Sequence, residues 1–382
     1  MVPMKRILPL LLAIVLTTGL FAGCGNETYE TPVITNVDGE TSSGEAVTEE
    51  KTEPEEEYVD VPPAEGMVRS KLTNEWISEE LADARPIAVM MPTDAAAQPQ
   101  YGIGNAEILY ECMEEGGVSR QMAIINDWNE LERIGNVRSC RDYYLYISTE
   151  WDAIVVHFGG VFYMRDRIKQ GDIQNISGTY SDGTAETTAP GSGAFFRSKD
   201  KASPHNAYVS GESILSAMKD LNYPKTHRVD KYEPEHFVFA RGVNDLSGAD
   251  NAKSAKTVDL ADCYPASKSY LEYNESDGLY YKYLHGEKQI DAATGEQLTF
   301  KNVLIQTCYW EKRDDKYLAF QMHDVTRFGY YVTEGKYIPV RWEKTSDYGP
   351  TKFYDLKGNE IEINTGKTYI AVVQEGTEPK FE

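Results

Sequence analysis

Six basic side chains in this sequence are spaced so that they could hold an anion. In the stretch GNVRSCRDYY, residues 135–144, Arg138 and Arg141 stand three apart with Ser139 between them. At the start of a helix they would share a face. A helix start also offers free N–H groups and a partial positive charge. Two guanidiniums there can fork onto carboxylate or phosphate oxygens. Arg120 opens the apolar run SRQMAIIND, and Arg197 precedes Pro204-His205-Asn206, a restrained turn that can aim an imidazole. His157 ends the run AIVVHFGG just before Gly159 and Gly160, where a backbone can approach a ligand closely. Arg120, Arg138, Ser139, Arg141, His157, Arg197, His205 and Asn206 are therefore the candidate anion-binding residues. A structural reading competes with this one. Arg138 and Arg141 could pair with Glu111, Glu114, Glu115 or Asp142 in an ion network that fixes geometry, and His205 could bond only the backbone of its turn.

Other chemistries find less support. The sequence has no GxSxG elbow, Walker loop, HExxH or EF-hand loop. Gly102 and Gly104 lack the third glycine of a dinucleotide fingerprint. Cys112, Cys140, Cys263 and Cys308 form no CxxC pair, so neither a metal nor a cofactor is expected, and they read as buried free thiols. The aromatic residues of the second half, Tyr280, Tyr281, Tyr330, Tyr331, Trp310 and Trp342, could stack on sugars but read first as strand-packing pairs.

The elements that must position the candidate residues alternate in type. Residues 86–91, 119–127 and 153–160 read as buried strands. Residues 105–117, ending at a glycine pair, read as a helix, as do 138–148, 162–170 and 211–221. This alternation predicts an α/β domain with a largely parallel mixed sheet over 76–227. In such sheets ligands favour the crevice at strand C-terminal ends, where His157 and the loop before Arg138 would fall. From 228 to 382 short Tyr-, Val- and Ile-rich runs are broken by Gly, Asn and Asp, as around the Asp-Gly of YLEYNESDGLYYKYL. That pattern predicts a mostly antiparallel β-rich domain, α+β overall.

The N-terminus carries an address. Lys5 and Arg6 precede an apolar run from residue 7 to 21, then Ala22-Gly23-Cys24. The run is shorter than a membrane span and ends in small residues, so 1–23 reads as a signal peptide. Its tail resembles a bacterial lipobox, which implies diacylglycerol and palmitate on Cys24. Lipid chains there would anchor the protein to the outer face of the cell membrane. From Asp38 to Asp60 inclusive there are ten acidic residues and one basic residue, Lys51. Residues 24–75 thus read as the lipidated cysteine followed by an acidic disordered tether. The chain of 382 residues is 41% hydrophobic, enough for real cores, and its net charge of −23 disfavours nucleic acid as a partner.

Several motifs stand together in one order: RPIAVMMPTDAAAQPQYGIGNAEILYECMEEGGVSR (85–120), IGNVRSCRDYY (134–144), WDAIVVHFGG (151–160), FFRSKDKASPHNAYVS (195–210) and NVLIQ (302–306). Together they resemble the YerB-like family of bacterial lipoproteins, a main domain of unknown function with a small C-terminal companion. Departures from the family pattern are Thr93 and Asp94 where an Asn is usual, Asn136 for Pro, Cys140 for Ala and Val161 for Ser. The resemblance implies a fold and an envelope address, Gram-positive in kind, but no reaction. Three functions stay open at this point. The first is binding of an anionic cell-wall glycan, polyphosphate or envelope protein. The second is a hydrolase or transferase acting on a phosphorylated or carboxylated glycan, with His157 or His205 moving protons. The third is a non-catalytic scaffold.

Overall fold

The computed structural model describes residues 60–179 and 189–382. The segment expected to be a signal peptide, Cys24 and the acidic stretch to residue 59 lie outside the described residues. Order begins before the tether boundary expected at 75. Met67–Arg69 pairs with Trp76–Ser78, and Leu72 is buried in the core. Apolar side chains at 67, 68 and 72 supply burial there.

The candidate residues hang on strands and helices introduced here in chain order. These are β1 (Ile87–Pro92), β2 (Ile108–Met113), β3 (Ser119–Ile125), α1 (Asp142–Glu150), β4 (Ile154–His157), β5 (Asn175–Ser177) and α2 (Gly211–Asp220). The second half adds β6 (Tyr270–Asn274), β7 (Leu279–Leu284), β8 (Asn302–Cys308), β9 (Asp324–Thr333), β10 (Lys336–Lys344) and β11 (Thr368–Gln374). The first half is an α/β arrangement on a mixed sheet in the order β2-β3-β1-β4-β5. Pairs β1–β4 and β4–β5 are parallel, while β3 runs antiparallel to both neighbours. The second half is β-rich. One of its sheets, which contains β6 and β7, is antiparallel throughout. Its other strands extend the first sheet: β11 pairs parallel to β2, then β8, β9 and β10 follow. Residues 58–382 make one compact unit. Among the described residues no helix is long and apolar enough to cross a bilayer.

One predicted element changed type. Residues 105–117 were expected to be helical, but 108–113 form strand β2, with all six residues buried. A strand covered on both faces shows a continuous apolar run without alternation, so its period resembles that of a buried helix. The glycine pair is a turn: Gly116 and Gly117 both have left-handed φ, +75° and +77°, a conformation glycine adopts at little cost. The helix expected over 138–148 begins only at Asp142, and Arg138 and Ser139 lie in the extended segment before it. The stretch expected to be helical over 162–170 is a 3-10 turn, Phe162–Met164, followed by one short α turn, Arg165–Ile168.

The reason Glu111 sits inside a buried strand is polar packing across the two halves. Its carboxylate and the Lys282 ammonium are both fully buried, with Oε2 and Nζ 3.3 Å apart. Glu111 Oε2 also accepts from Tyr369 Oη (2.8 Å), Ser269 Oγ (3.1 Å) and Gln121 Nε2 (3.1 Å). Its Oε1 accepts from Ser119 Oγ (2.6 Å) and Ser267 Oγ (3.3 Å). Burial alone would push the Glu111 carboxyl up. Lys282 and the hydrogen bonds outweigh that and hold it below the usual carboxylate range. Gln121, Ser119 and Glu111 come from the first half, and Ser267, Ser269, Lys282 and Tyr369 from the second.

Candidate functional site

Strands β1 and β4 run side by side through Val89 and Val156, then part at their C-terminal ends. The segment 137–140 fills the gap. Arg138 N donates to Met90 O (2.9 Å), Phe158 N to Arg138 O (2.9 Å) and Cys140 N to Gly159 O (3.0 Å). Val137 N donates to Ala207 O (2.8 Å), which fixes the same segment from the other side. Arg120, opposite Pro92 at the start of antiparallel β3, comes to this same sheet end. So does the Gly116–Gly117 turn, which carries Glu114 and Glu115.

The geometry sorts the arginines. Arg120 Nη1 lies 2.8 Å from Glu114 Oε2 and donates to Ser139 O at 2.6 Å. Arg141 shares that Glu114 oxygen at 3.2 Å and forks onto Glu115, with Nη2 2.7 Å from Oε2 and Nε 3.1 Å from each oxygen. These two guanidiniums are committed to fixing the β2–β3 turn. Arg138 is not. Among the described residues it makes no ion pair, and its one side-chain hydrogen bond runs from Nη1 to Pro204 O at 3.2 Å. Of the carboxylates considered from sequence, Glu111 pairs with Lys282 and Asp142 with Arg313 (2.6 Å).

Charges crowd around Arg138. Burial and the neighbouring Arg120 and Arg141 lower its pKa, while Asp94 and Glu114 act the other way. Burial raises the Glu114 carboxyl above its ordinary range despite Arg120 and Arg141. For Glu115, burial is outweighed by the Arg141 hydrogen bonds and charge, so it stays lowered. His205 belongs to the same group. Burial lowers its pKa, Asp94 opposes that, and Arg138, Lys201 and Arg120 add to it. Orphaned polar atoms concentrate here. Nε of Arg120 and of Arg138, Nδ1 of His205, Oε1 of Glu114 and Oδ1 of Asn136 are buried without a hydrogen-bond partner among the described residues. Buried polar atoms normally find one, from protein, solvent or ligand.

The remaining candidates sit at the margin or apart. Arg197 is exposed, donates from Nη1 to Asn206 Oδ1 (2.5 Å) and lies 5.0 Å over the Phe158 ring. Ser139 Oγ donates to Phe158 O at 3.1 Å. His157 is fully buried, with Nδ1 2.6 Å from Gly159 O and Nε2 3.2 Å from Asn175 Oδ1. Both of its ring nitrogens are occupied, and burial lowers its pKa. It supports the strand end and does not face the arginines. Sequence reading overlooked two members of the group. One is Asp94, whose charge acts on Arg138 and His205. The other is Lys201, whose Nζ donates to Ala97 O (2.7 Å) and Gln98 O (2.6 Å). Lys201, four residues before His205 in SKDKASPH, was the available signal. All four cysteines described are free and buried.

Residues 72–224 match the N-terminal domain, and residues 258–370 the C-terminal domain, of the protein family of unknown function DUF3048. The chain is 25% identical over 304 residues to YerB of Bacillus subtilis strain 168, a protein named as a lipoprotein; the match covers 76% of this chain and 86% of that one. The crystal structure of the YerB protein from Bacillus subtilis superimposes with a TM-score of 0.68 at 21% identity, over 82% of this chain and 99% of that chain, which shows a shared fold.

Proposed function

We propose, from the premise that this chain belongs to the YerB-like family and carries both of its domains, that it is a lipid-anchored envelope protein binding an anionic ligand through Arg138. The anchor would be lipid on Cys24, on the outer face of a Gram-positive cell membrane. The charged, apolar and small-residue pattern of 5–24 supports this, as does likeness to a protein named as a lipoprotein.

The observation that carries the ligand reading is the arrangement around Arg138. Arg120 and Arg141 are held by Glu114 and Glu115, whereas Arg138 keeps its charge uncommitted. It does so beside buried polar atoms that lack partners, the donor Nε of Arg120 among them, at the C-terminal end of parallel strands. A phosphate or carboxylate oxygen reaching Arg138 would meet its guanidinium and the Arg120 Nε in a partly desolvated place, where charge-assisted hydrogen bonds are strong. Anionic cell-wall glycan, polyphosphate and an acidic face of an envelope protein are the ligand classes that fit. The protein's own charge of −23 makes a local basic site the more selective.

The test is calorimetric titration of the chain from residue 24, with Cys24→Ser to leave it unlipidated, against inorganic polyphosphate and phosphorylated wall fragments. Binding that weakens more than about tenfold in Arg138→Ala, the loss of one charge-assisted contact, supports the reading. Equal affinity in wild type and variant for every probe refutes it.

A further inference from the structure

A second surface, on the antiparallel sheet of the C-terminal half, is built for a different ligand. Along β7 the side chains alternate. Tyr280, Lys282 and Leu284 are buried, and Tyr281 and Tyr283 stand half-buried on the opposite face. Tyr283 lies opposite Tyr270 of β6, and their rings stack at 4.6 Å with only 3° between planes. Tyr281 lies opposite Glu272 and is anchored by a 2.6 Å hydrogen bond from its hydroxyl to Asp277 Oδ2. Beside them runs an open groove of about 570 Å³, lined by Tyr281, Tyr283, Glu272, Asn274, Lys288 and Gln297.

We infer that this groove binds an uncharged, hydroxyl-rich glycan chain. Three complementarities support that occupant. First, sugar rings present C–H faces that pack on aromatic faces. Two tyrosines at alternate positions of one strand, about 7 Å apart, offer successive platforms. Second, the polar rim is rich in acceptors. The carboxylate of Glu272 and the side-chain carbonyl oxygen of Gln297 suit sugar hydroxyls, which donate. A proline-rich peptide also packs on aromatic grooves, but its prolines lack N–H and offer only carbonyl acceptors, so this rim disfavours it. Third, the neighbourhood is net negative. Glu272, Glu275 and Asp277 outnumber the two cations Lys288 and Lys256, of which Lys256 pairs with Glu275, and the residual negative charge disfavours phosphorylated or carboxylated polymers. The groove therefore differs in charge from the Arg138 group and is independent of the reading given to it. Because the rings are already held by stacking and by Asp277, little side-chain freedom is lost on binding.

The experiment titrates the Cys24→Ser chain from residue 24 with chitohexaose, a neutral N-acetylated oligosaccharide, with decaproline and polyphosphate in parallel. The inference requires saturable chitohexaose binding that weakens about tenfold in Tyr281→Ala and in Tyr283→Ala, the loss of one aromatic platform each. Tyr283→Phe keeps the ring and stays within about threefold of wild type, and Arg138→Ala leaves this binding unchanged. Should the alanine variants lose their native near-ultraviolet spectrum, Glu272→Ala on the exposed rim carries the test, with an expected weakening of about threefold for one lost polar contact. The inference is overturned by absent chitohexaose binding, by equal affinity in folded alanine variants, by a loss in Tyr283→Phe as large as in Tyr283→Ala, or by decaproline binding in place of the sugar.

Discussion

Replacing Lys282 with Met isolates the charge of Glu111, and the cost should depend on pH in a way that a merely steric defect would not. The two groups are fully buried, with Nζ and Oε2 3.3 Å apart. Removing one partner of such a pair typically costs about 3–5 kcal/mol, because the other charge is left uncompensated. Glu111 would keep its five hydrogen bonds from Ser119, Gln121, Ser267, Ser269 and Tyr369, but it can also escape by taking a proton. At pH 7.5 that escape costs about 4 kcal/mol, three pH units above an ordinary carboxylate pKa, and at pH 5 it costs under about 1 kcal/mol. In the wild type the Glu111 pKa is lowered, so its contribution is present above the unfolded pKa and lost only as pH falls through the lower folded value. In the variant the folded pKa is raised, so the penalty is full at neutral pH and fades as pH falls toward the unfolded value. Urea unfolding of both proteins at pH 7.5 and pH 5.0 should therefore show a destabilisation about 3 kcal/mol smaller at the lower pH. Adding Glu111→Gln to Lys282→Met should recover more than half of the neutral-pH loss. A cost that is equal at both pH values, or below about 1 kcal/mol at pH 7.5, would sink the idea that an ion pair joins the two halves.

Other outcomes follow from the same structure. Arg141→Ala should destabilise by about 3 kcal/mol, because it strips Glu115 of its fork and leaves buried Glu114 to Arg120 alone; Arg138→Ala, which breaks only the bond to Pro204 O, should shift the melting temperature by no more than a few degrees. His236 stacks on Trp151 at 3.8 Å, bonds Glu150 O through Nε2 and buries Nδ1 without a partner, and burial lowers its pKa to about 4. The unfolded chain thus binds this proton near pH 6.5 and the folded one does not, so stability falls as pH drops from about 6.5 toward 4. Between pH 7 and 5 the loss from this residue is about 2 kcal/mol, and His236→Phe should remove that part of the slope in urea titrations. The thiols of Cys112, Cys140, Cys263 and Cys308 should react with a thiol reagent only after unfolding. Burial pushes all four pKa values up, Cys263 to about 11; rapid modification of the native protein would contradict the sealed core.

The arginine site was only partly legible beforehand. Arg120, Arg138 and Arg141 were recognisable because charged residues next to apolar runs are spaced for a strand start and a helix start. Which of them keeps a free charge was not, since Glu114 and Glu115 lie more than twenty residues from both Arg138 and Arg141 and the chain does not say which they will reach. His157 looked like a site residue by its place at a strand end, yet Asn175 of β5 and the Gly159 carbonyl take both ring nitrogens. The aromatic groove was masked in the same way. A tyrosine that packs across a strand and one that offers its face to a sugar have the same spacing, and only the register with Tyr270, Glu272 and Lys288 separates them.

By itself the sequence determined the properties set by local chemistry and summed composition. These are a charged, apolar and small-residue pattern before Cys24, an acidic stretch poor in apolar residues, and a first half of alternating elements followed by β-rich runs. Tertiary structure alone decided what depends on partners distant in the chain. Residues 108–113 became a strand because β3 and β11 cover both their edges and layers cover both faces, so no period survives to mark them. Glu111 became half of a buried ion pair because Lys282, 171 residues later, reaches it through the shared core. Arg138 became the uncommitted cation because the β2–β3 turn folds its two glutamates onto Arg120 and Arg141 instead. A local pattern can say which groups are charged; only the fold says which of those charges have already been neutralised.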